Sequence, residues 1–214
     1  TYKFINKHII PYSNYCYSTE ELRNEVERLQ LDAIIVGSDQ VWRPHYSPCQ
    51  PNYFLDFLPL DSRIKRISYA ASFGGDDWLF SPELTVQCSK LLKRFDVVSV
   101  REQSAIGLCK KYFNVNAVQV LDPTMLLESV DYKVIIGSCS KDRVGKKPFE
   151  SMPELPDEVY NLYGKIDKCI YPPVEDWVSA FMEADMVVTD SFHGTVFSII
   201  FNKPFWVVGN ESRG

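Results

Sequence analysis

Near its C-terminal end the chain places Thr189, Asp190, Ser191, Phe192, His193 and Gly194 in one run, directly after the apolar stretch Met186-Val187-Val188. A strand that passes straight into a helix leaves the helix N-terminus at the strand's end. Backbone N–H groups and positive partial charge there seat a phosphate or carboxylate. His193 stands at that seat, and an imidazole can exchange a proton near neutral pH. Asp190 is placed to orient the ring, and Gly194 to let a ligand approach the backbone closely, with Ser191 and Thr195 as neighbouring substrate contacts. The competing reading is an Asp helix cap beside a histidine held in packing.

Arg101 follows the apolar run Val97 to Val100, and a guanidinium grips phosphate or carboxylate in a bidentate fork. An ion pair with Glu102 or a nearby carboxylate would use the same side chain differently. Gly37-Ser38-Asp39-Gln40, followed by Trp42, offers polar edges and an aromatic ring to a sugar; it is equally an Asx-type turn beside a packed indole. Asp122-Pro123-Thr124 reads as a strand-ending turn first and a ligand contact second. His8 and His45 lie in loops, and nothing pairs them as a metal site.

These residues need elements to hold them. Ser18 begins a capping-box pattern with Glu21, and Leu22, Val26 and Leu29 continue at helical spacing, which predicts a helix over 19–29. Short apolar runs at 32–36, 66–71, 97–100, 117–121, 134–136, 186–189 and 205–208 read as strands. Helices are predicted after Ser81-Pro82, over 102–112, after Tyr171-Pro172-Pro173 and over 194–201. Apolar strands alternating with amphipathic helices mean parallel sheets covered on both faces. In such sheets ligands bind outside the carboxyl ends of the strands, which is where each of these motifs falls. Weak periodicity from Leu126 to Asp167 suggests a boundary, with one Rossmann-like domain over 1–125 and a second over 126–214.

Composition narrows the partners. With 214 residues, 45% hydrophobic and 24% charged, the chain has the make-up of a folded protein rather than a disordered one. A net charge of -5 and dispersed basic residues, densest at Lys141, Arg143, Lys146 and Lys147, argue against nucleic acid. Cys16, Cys49, Cys88, Cys109, Cys139 and Cys169 are too widely spaced for a zinc or redox pair, so reduced thiols in the cytoplasm are expected. No apolar run approaches the roughly 18 residues that cross a bilayer. Because the sequence opens on Thr1 rather than Met, an N-terminal portion is expected to lie outside it.

Five stretches together carry a resemblance: Asp32 to Trp42 (DAIIVGSDQVW), Ile67 to Gly74 (ISYAASFG), Ser99 to Glu102 (SVRE), Leu121 to Thr124 (LDPT) and Val188 to Lys203 (VTDSFHGTVFSIIFNK). In this order the set resembles the polysaccharide pyruvyl transferase family. The resemblance implies two Rossmann-like halves facing a cleft, as in B-type glycosyltransferases, here in incomplete form without the usual first strand. It implies a transferase that moves the carboxyvinyl portion of phosphoenolpyruvate onto a saccharide or lipid-linked saccharide as a ketal, in surface polysaccharide biosynthesis and without a cofactor. His193 would match the family's motif histidine and Arg101 an arginine that holds the donor, whereas Ser191 stands where many relatives carry a basic residue. A nucleotide-sugar glycosyltransferase of the same architecture and a non-catalytic saccharide-binding protein are the alternatives.

Overall fold

The computed structural model describes residues 2–44, 46–137 and 173–209. His45, Cys139, Cys169 and the basic group from Lys141 to Lys147 lie outside the described residues. The described residues between 13 and 126 form one compact unit. Residues 2–12, 127–137 and 173–209 belong to another.

In the first unit, helix α2 (Thr19–Leu29) follows a short helix α1 (Tyr2–His8) that belongs to the other unit. The Ser18 hydroxyl caps α2 by accepting the Glu21 N–H at 3.1 Å. The Glu21 carboxylate reaches back to the Tyr17 N–H, at 2.8 Å, so it captures a donor one residue earlier than a capping box would. Strands β1 (Ala33–Val36), β2 (Lys65–Ala71), β3 (Val97–Val100) and β4 (Val118–Gln119) form a parallel sheet in the order β1-β2-β3-β4. Helix α3 (Pro82–Leu92) joins β2 to β3, and α4 (Gln103–Leu108) joins β3 to β4. The chain is thus α/β with parallel strands, consistent with a Rossmann-like sheet.

An irregularity in this sheet sets the position of Arg101. Between Ser68 and Ala71 the β2–β3 register shifts, and Ala70 takes a left-handed φ of 51°. The two buried serines lock the shift. Ser99 N donates to Ser68 Oγ at 2.9 Å, Ser99 Oγ to the Ser68 carbonyl at 2.7 Å, and Ala70 N to Ser99 Oγ at 3.3 Å. An extra residue accommodated in one strand re-aims the chain beyond it. Here it brings the Ala71 carbonyl to the Arg101 N–H, at 3.1 Å, and so fixes where the arginine leaves the sheet.

Beneath the sheet, Trp42, Phe54, Phe73, Phe80 and Phe113 pack together with Cys88, Leu92, Val98 and Val100. Trp42 is 0% exposed, stacks on Phe54 at 5.2 Å and donates its Nε1 to the Tyr53 carbonyl at 3.1 Å. The packed indole is therefore the outcome, and Trp42 offers no face to a sugar. The helix expected over 102–112 ends at Leu108 and widens into a π-helical turn, Cys109–Phe113, whose first and last side chains are buried. Burial raises the Cys88 and Cys109 thiols to about 12, helped by Asp56 and Glu102 respectively. Since the thiolate is the reactive form, native protein treated with iodoacetamide at pH 8 is expected to leave the Cys88 and Cys109 peptides unlabelled. Both should label in urea. Peptide mass spectrometry reads this directly, and fast native labelling of either cysteine would contradict the packing.

The second unit holds strands β5 (Val187–Thr189) and β6 (Phe205–Val207), paired in parallel, with helices α5 (Ser129–Ile136), α6 (Val174–Glu183) and α7 (Phe192–Ile200). The sequence favours a strand at Val134 to Ile136, but this segment is the end of α5. The Glu128 N–H is capped by Asp131 Oδ2 at 2.8 Å, which starts a helix upstream of the β-branched run. Helical spacing then sets Tyr132 and Ile136 together against Val178, Phe181 and Phe197. Among the described residues no helix is long and apolar enough to cross a membrane.

Candidate functional site

At the carboxyl ends of β1, β2 and β3, and just past β4, the four motifs of the first unit converge. β1 leaves the sheet through Gly37, whose φ of +121° suits glycine; a β-carbon there would also collide with the Tyr69 carbonyl oxygen. After half-buried Ser38, Asp39 adopts a left-handed φ of 67°. Its carbonyl accepts the N–H groups of Val41 (2.8 Å) and Ser72 (3.0 Å), so the turn is tied to the end of β2. This backbone pinning leaves the Asp39 carboxylate pointing outward.

Arg101 occupies the centre. Its Nη1 pairs with Asp122 Oδ2 at 3.2 Å, where the two side chains are 9% and 0% exposed. Its Nη2 pairs with Asp39 Oδ1 at 3.4 Å, on a carboxylate that is 67% exposed. Asp122 is fixed in turn, with Oδ1 accepting from Thr124 N (3.0 Å) and Thr124 Oγ1 (2.7 Å). The turn expected at Asp122-Pro123-Thr124 is thus also the anchor of the arginine. Glu102 is not its partner: Glu102 Oε1 accepts from Ser72 Oγ (3.0 Å) and Phe73 N (2.8 Å) and clamps the loop after β2. The inner carboxylate holds the guanidinium from below, while the outer one shares it with solvent. Two carboxylates bracket a guanidinium that is itself only 9% exposed, so an anionic ligand reaches it by displacing the outer, solvent-facing Asp39.

The second unit contributes the other group. β5 ends at Thr189 and α7 begins with Phe192, so the strand-to-helix passage read from the sequence is present. Ser191, not Asp190, is the N-cap: its hydroxyl faces the Gly194 N–H at 3.5 Å, and its carbonyl accepts the Thr195 N–H at 3.0 Å and the Thr195 hydroxyl at 3.2 Å. Ser191 is itself held by its own N–H on Thr189 Oγ1 at 3.0 Å. Asp190 is exposed just outside the helix, and His193 is half-buried in the first turn with its ring edge-on to Phe192 at 5.2 Å and 85°. Gly194 is buried, and a β-carbon there would collide with Thr189 Oγ1 and lie 2.9 Å from Thr189 Cβ. Its small size therefore makes room for the end of β5, a packing role where the sequence suggests a ligand contact.

A Gly194→Ala variant is expected to push α7 away from Thr189 and to lose about 1–3 kcal/mol, the scale for overpacking a filled site. Urea unfolding checks this. Unchanged stability would mean that the helix start has slack.

The structure thus brings Ser38, Asp39, Gln40 and Arg101 together on one unit, and Asp190, Ser191, His193, Gly194 and Thr195 together on the other. Ser72, Glu102 and Asp122 are the site residues whose parts sequence reasoning underrated; their position after strand ends was the available signal. Among the described residues no group of three or more His, Cys, Asp or Glu could hold a metal ion. The family model described as polysaccharide pyruvyl transferase matches residues 1–212 of the chain. No curated protein and no solved structure matches it.

Proposed function

Because the chain belongs to the polysaccharide pyruvyl transferase family and is a pyruvyl transferase, we propose that it draws its pyruvyl group from phosphoenolpyruvate and closes a ketal on two hydroxyls of a saccharide. The single observation that carries the donor assignment is the Arg101 guanidinium, held by buried Asp122 yet shared with exposed Asp39. Phosphoenolpyruvate carries a phosphate and a carboxylate. In this proposal Arg101 takes an anion of the donor, and the start of α7 at Ser191 is a second seat for an anion.

The reaction follows from the donor's chemistry. Protonation of the enol carbon turns the methylene into a methyl and leaves an oxocarbenium-like centre. One sugar hydroxyl adds there and gives up its proton. The C–O bond to phosphate breaks, the second hydroxyl closes the ketal, and its proton leaves with the phosphate. His193 is assigned the proton transfers, with Asp190 steering its imidazole, and Ser38, Asp39 and Gln40 the polar contacts to substrate. No cofactor is required by these steps. The acceptor is proposed to be a glycan or lipid-linked glycan made in the cytoplasm for a surface polysaccharide.

The test is phosphate release from phosphoenolpyruvate by full-length protein, with glycan precursors of the source organism as acceptors. Calorimetry with phosphoenolpyruvate and a panel of sugar nucleotides runs beside it. Phosphate release that depends on the acceptor is expected. Tight binding and turnover of a sugar nucleotide, with no phosphate released from phosphoenolpyruvate, would overturn the donor assignment.

A further inference from the structure

Directly beside the Asp39 turn lies a hollow of about 170 Å³ lined by Asp39, Gln40, Val41, Tyr46, Ser47 and Tyr53. A cavity of ~150 Å³ accommodates one benzene ring, so there is room here for one six-membered ring. Tyr46 and Tyr53 are 60% and 38% exposed, so they present aromatic surface to solvent instead of joining the adjoining core. Tyr46 is nevertheless braced. The Arg43 guanidinium carbon lies 4.7 Å from its ring centroid, and Arg43 Nη1 is in turn held by Gln40 Oε1 (3.1 Å) and the Gly74 carbonyl (3.4 Å). A ring supported on one side by a fixed cation is a rigid platform rather than a loose surface residue.

We infer that this hollow is the subsite for one sugar ring of the acceptor, with the Tyr46 ring as its stacking face; the inference rests on the pyruvyl-transfer function proposed for the chain. A pyranose has an apolar C–H face and a rim of hydroxyls that both donate and accept. The hollow offers the counterparts: exposed aromatic surface, a carboxylate, an amide and the Ser47 hydroxyl. The Asp39 carboxylate accepts hydroxyl protons, which suits the neutral acceptor, while an anion of the donor pairs with the neighbouring guanidinium. The same carboxylate lies 3.4 Å from Arg101 Nη2. A hydroxyl bound by Asp39 therefore stands next to the guanidinium assigned to the donor, as a nucleophile must. Trp42, the aromatic residue that the sequence brings closest to this motif, lies buried below, and Tyr46 and Tyr53 take the exposed positions instead.

The experiment uses full-length protein and three probes: the methyl glycosides of β-galactose, β-glucose and α-mannose. Binding is read by saturation-transfer NMR titration, and phosphoenolpyruvate binding is measured by calorimetry on the same samples. At least one glycoside is expected to bind the unmodified protein. Tyr46→Ala should weaken it about tenfold, the scale of one aromatic contact. Tyr46→Phe, which keeps the ring, should bind nearly as well as the unmodified protein, and phosphoenolpyruvate affinity should not change in either variant. Equal glycoside affinity in Tyr46→Ala, or no binding of any of the three, overturns the subsite. Glycoside binding that depends on Tyr46 in a protein that does not bind phosphoenolpyruvate would support the subsite and remove the donor assignment, so the two readings fail separately.

Discussion

Replacing Arg101 by Met is expected to cost roughly 100- to 1,000-fold in phosphate release, the scale for removing one preorganised donor from developing charge. It should also cost stability, because Asp122 is 0% exposed and loses its cation. Removing one partner of a buried pair typically costs roughly 3–5 kcal/mol. The low end, about 3 kcal/mol, applies here, since Thr124 still satisfies Asp122 Oδ1 through two hydrogen bonds. The Asp39 pair adds little, being solvent-shared and held at 3.4 Å. These two effects can be pulled apart. Asp122→Asn keeps the oxygen that Thr124 uses and removes the stranded charge. The double variant Arg101→Met/Asp122→Asn should therefore regain most of the unfolding free energy in urea while its turnover stays low. If turnover returned together with stability, Arg101 would be a structural residue and another group would hold the donor.

Much of the skeleton that positions these residues is readable in the sequence, because strands and helices announce themselves by periodicity. The strands that start at Ala33, Lys65 and Val97, the Ser81-Pro82 helix start and the passage from Thr189 into α7 lie within two residues of where pattern alone puts them. Three features were beyond it, each for a physical reason. The β2 bulge depends on the hydroxyls of Ser68 and Ser99 each donating to the other's backbone carbonyl, a contact between residues thirty-one apart that no local pattern encodes. Val134-Ile135-Ile136 has the β-branched content of a strand, but the Asp131 cap and the packing of Tyr132 on Phe197 at 5.1 Å favour the helix. Gly194 was a third case. A glycine after a histidine at a helix start invites a ligand, yet its space is taken by Thr189, a residue five positions earlier that folds back under the helix. The partners of Arg101 fall between these cases. A nearby carboxylate was an open reading, but pairing with Asp122 rather than Glu102 depends on the sheet order β3-β4.

His193 provides the sharper test of chemistry, because its side chain can be removed without disturbing the core. It sits half-buried in the first turn of α7, whereas the helix packs through Val196, Phe197 and Ser198. His193→Ala removes one edge-on ring contact with Phe192 and no part of the core, so it should cost about 0.5–1.5 kcal/mol of unfolding free energy. If the imidazole moves the protons of the reaction, the same variant should lose roughly 100- to 10,000-fold in kcat. The KM for phosphoenolpyruvate should then stay nearly constant, since an interaction made only in the transition state affects kcat and kcat/KM alike. Added imidazole should restore part of the lost rate, because a small base can enter the space left by the side chain. A purely electrostatic role in holding the donor predicts the opposite pattern, a raised KM with kcat preserved and no rescue. Steady-state phosphate release at saturating acceptor, with and without imidazole, decides between them. A variant with full activity would take proton transfer away from α7 altogether and leave that helix start, with its Ser191 cap, as an anion seat alone.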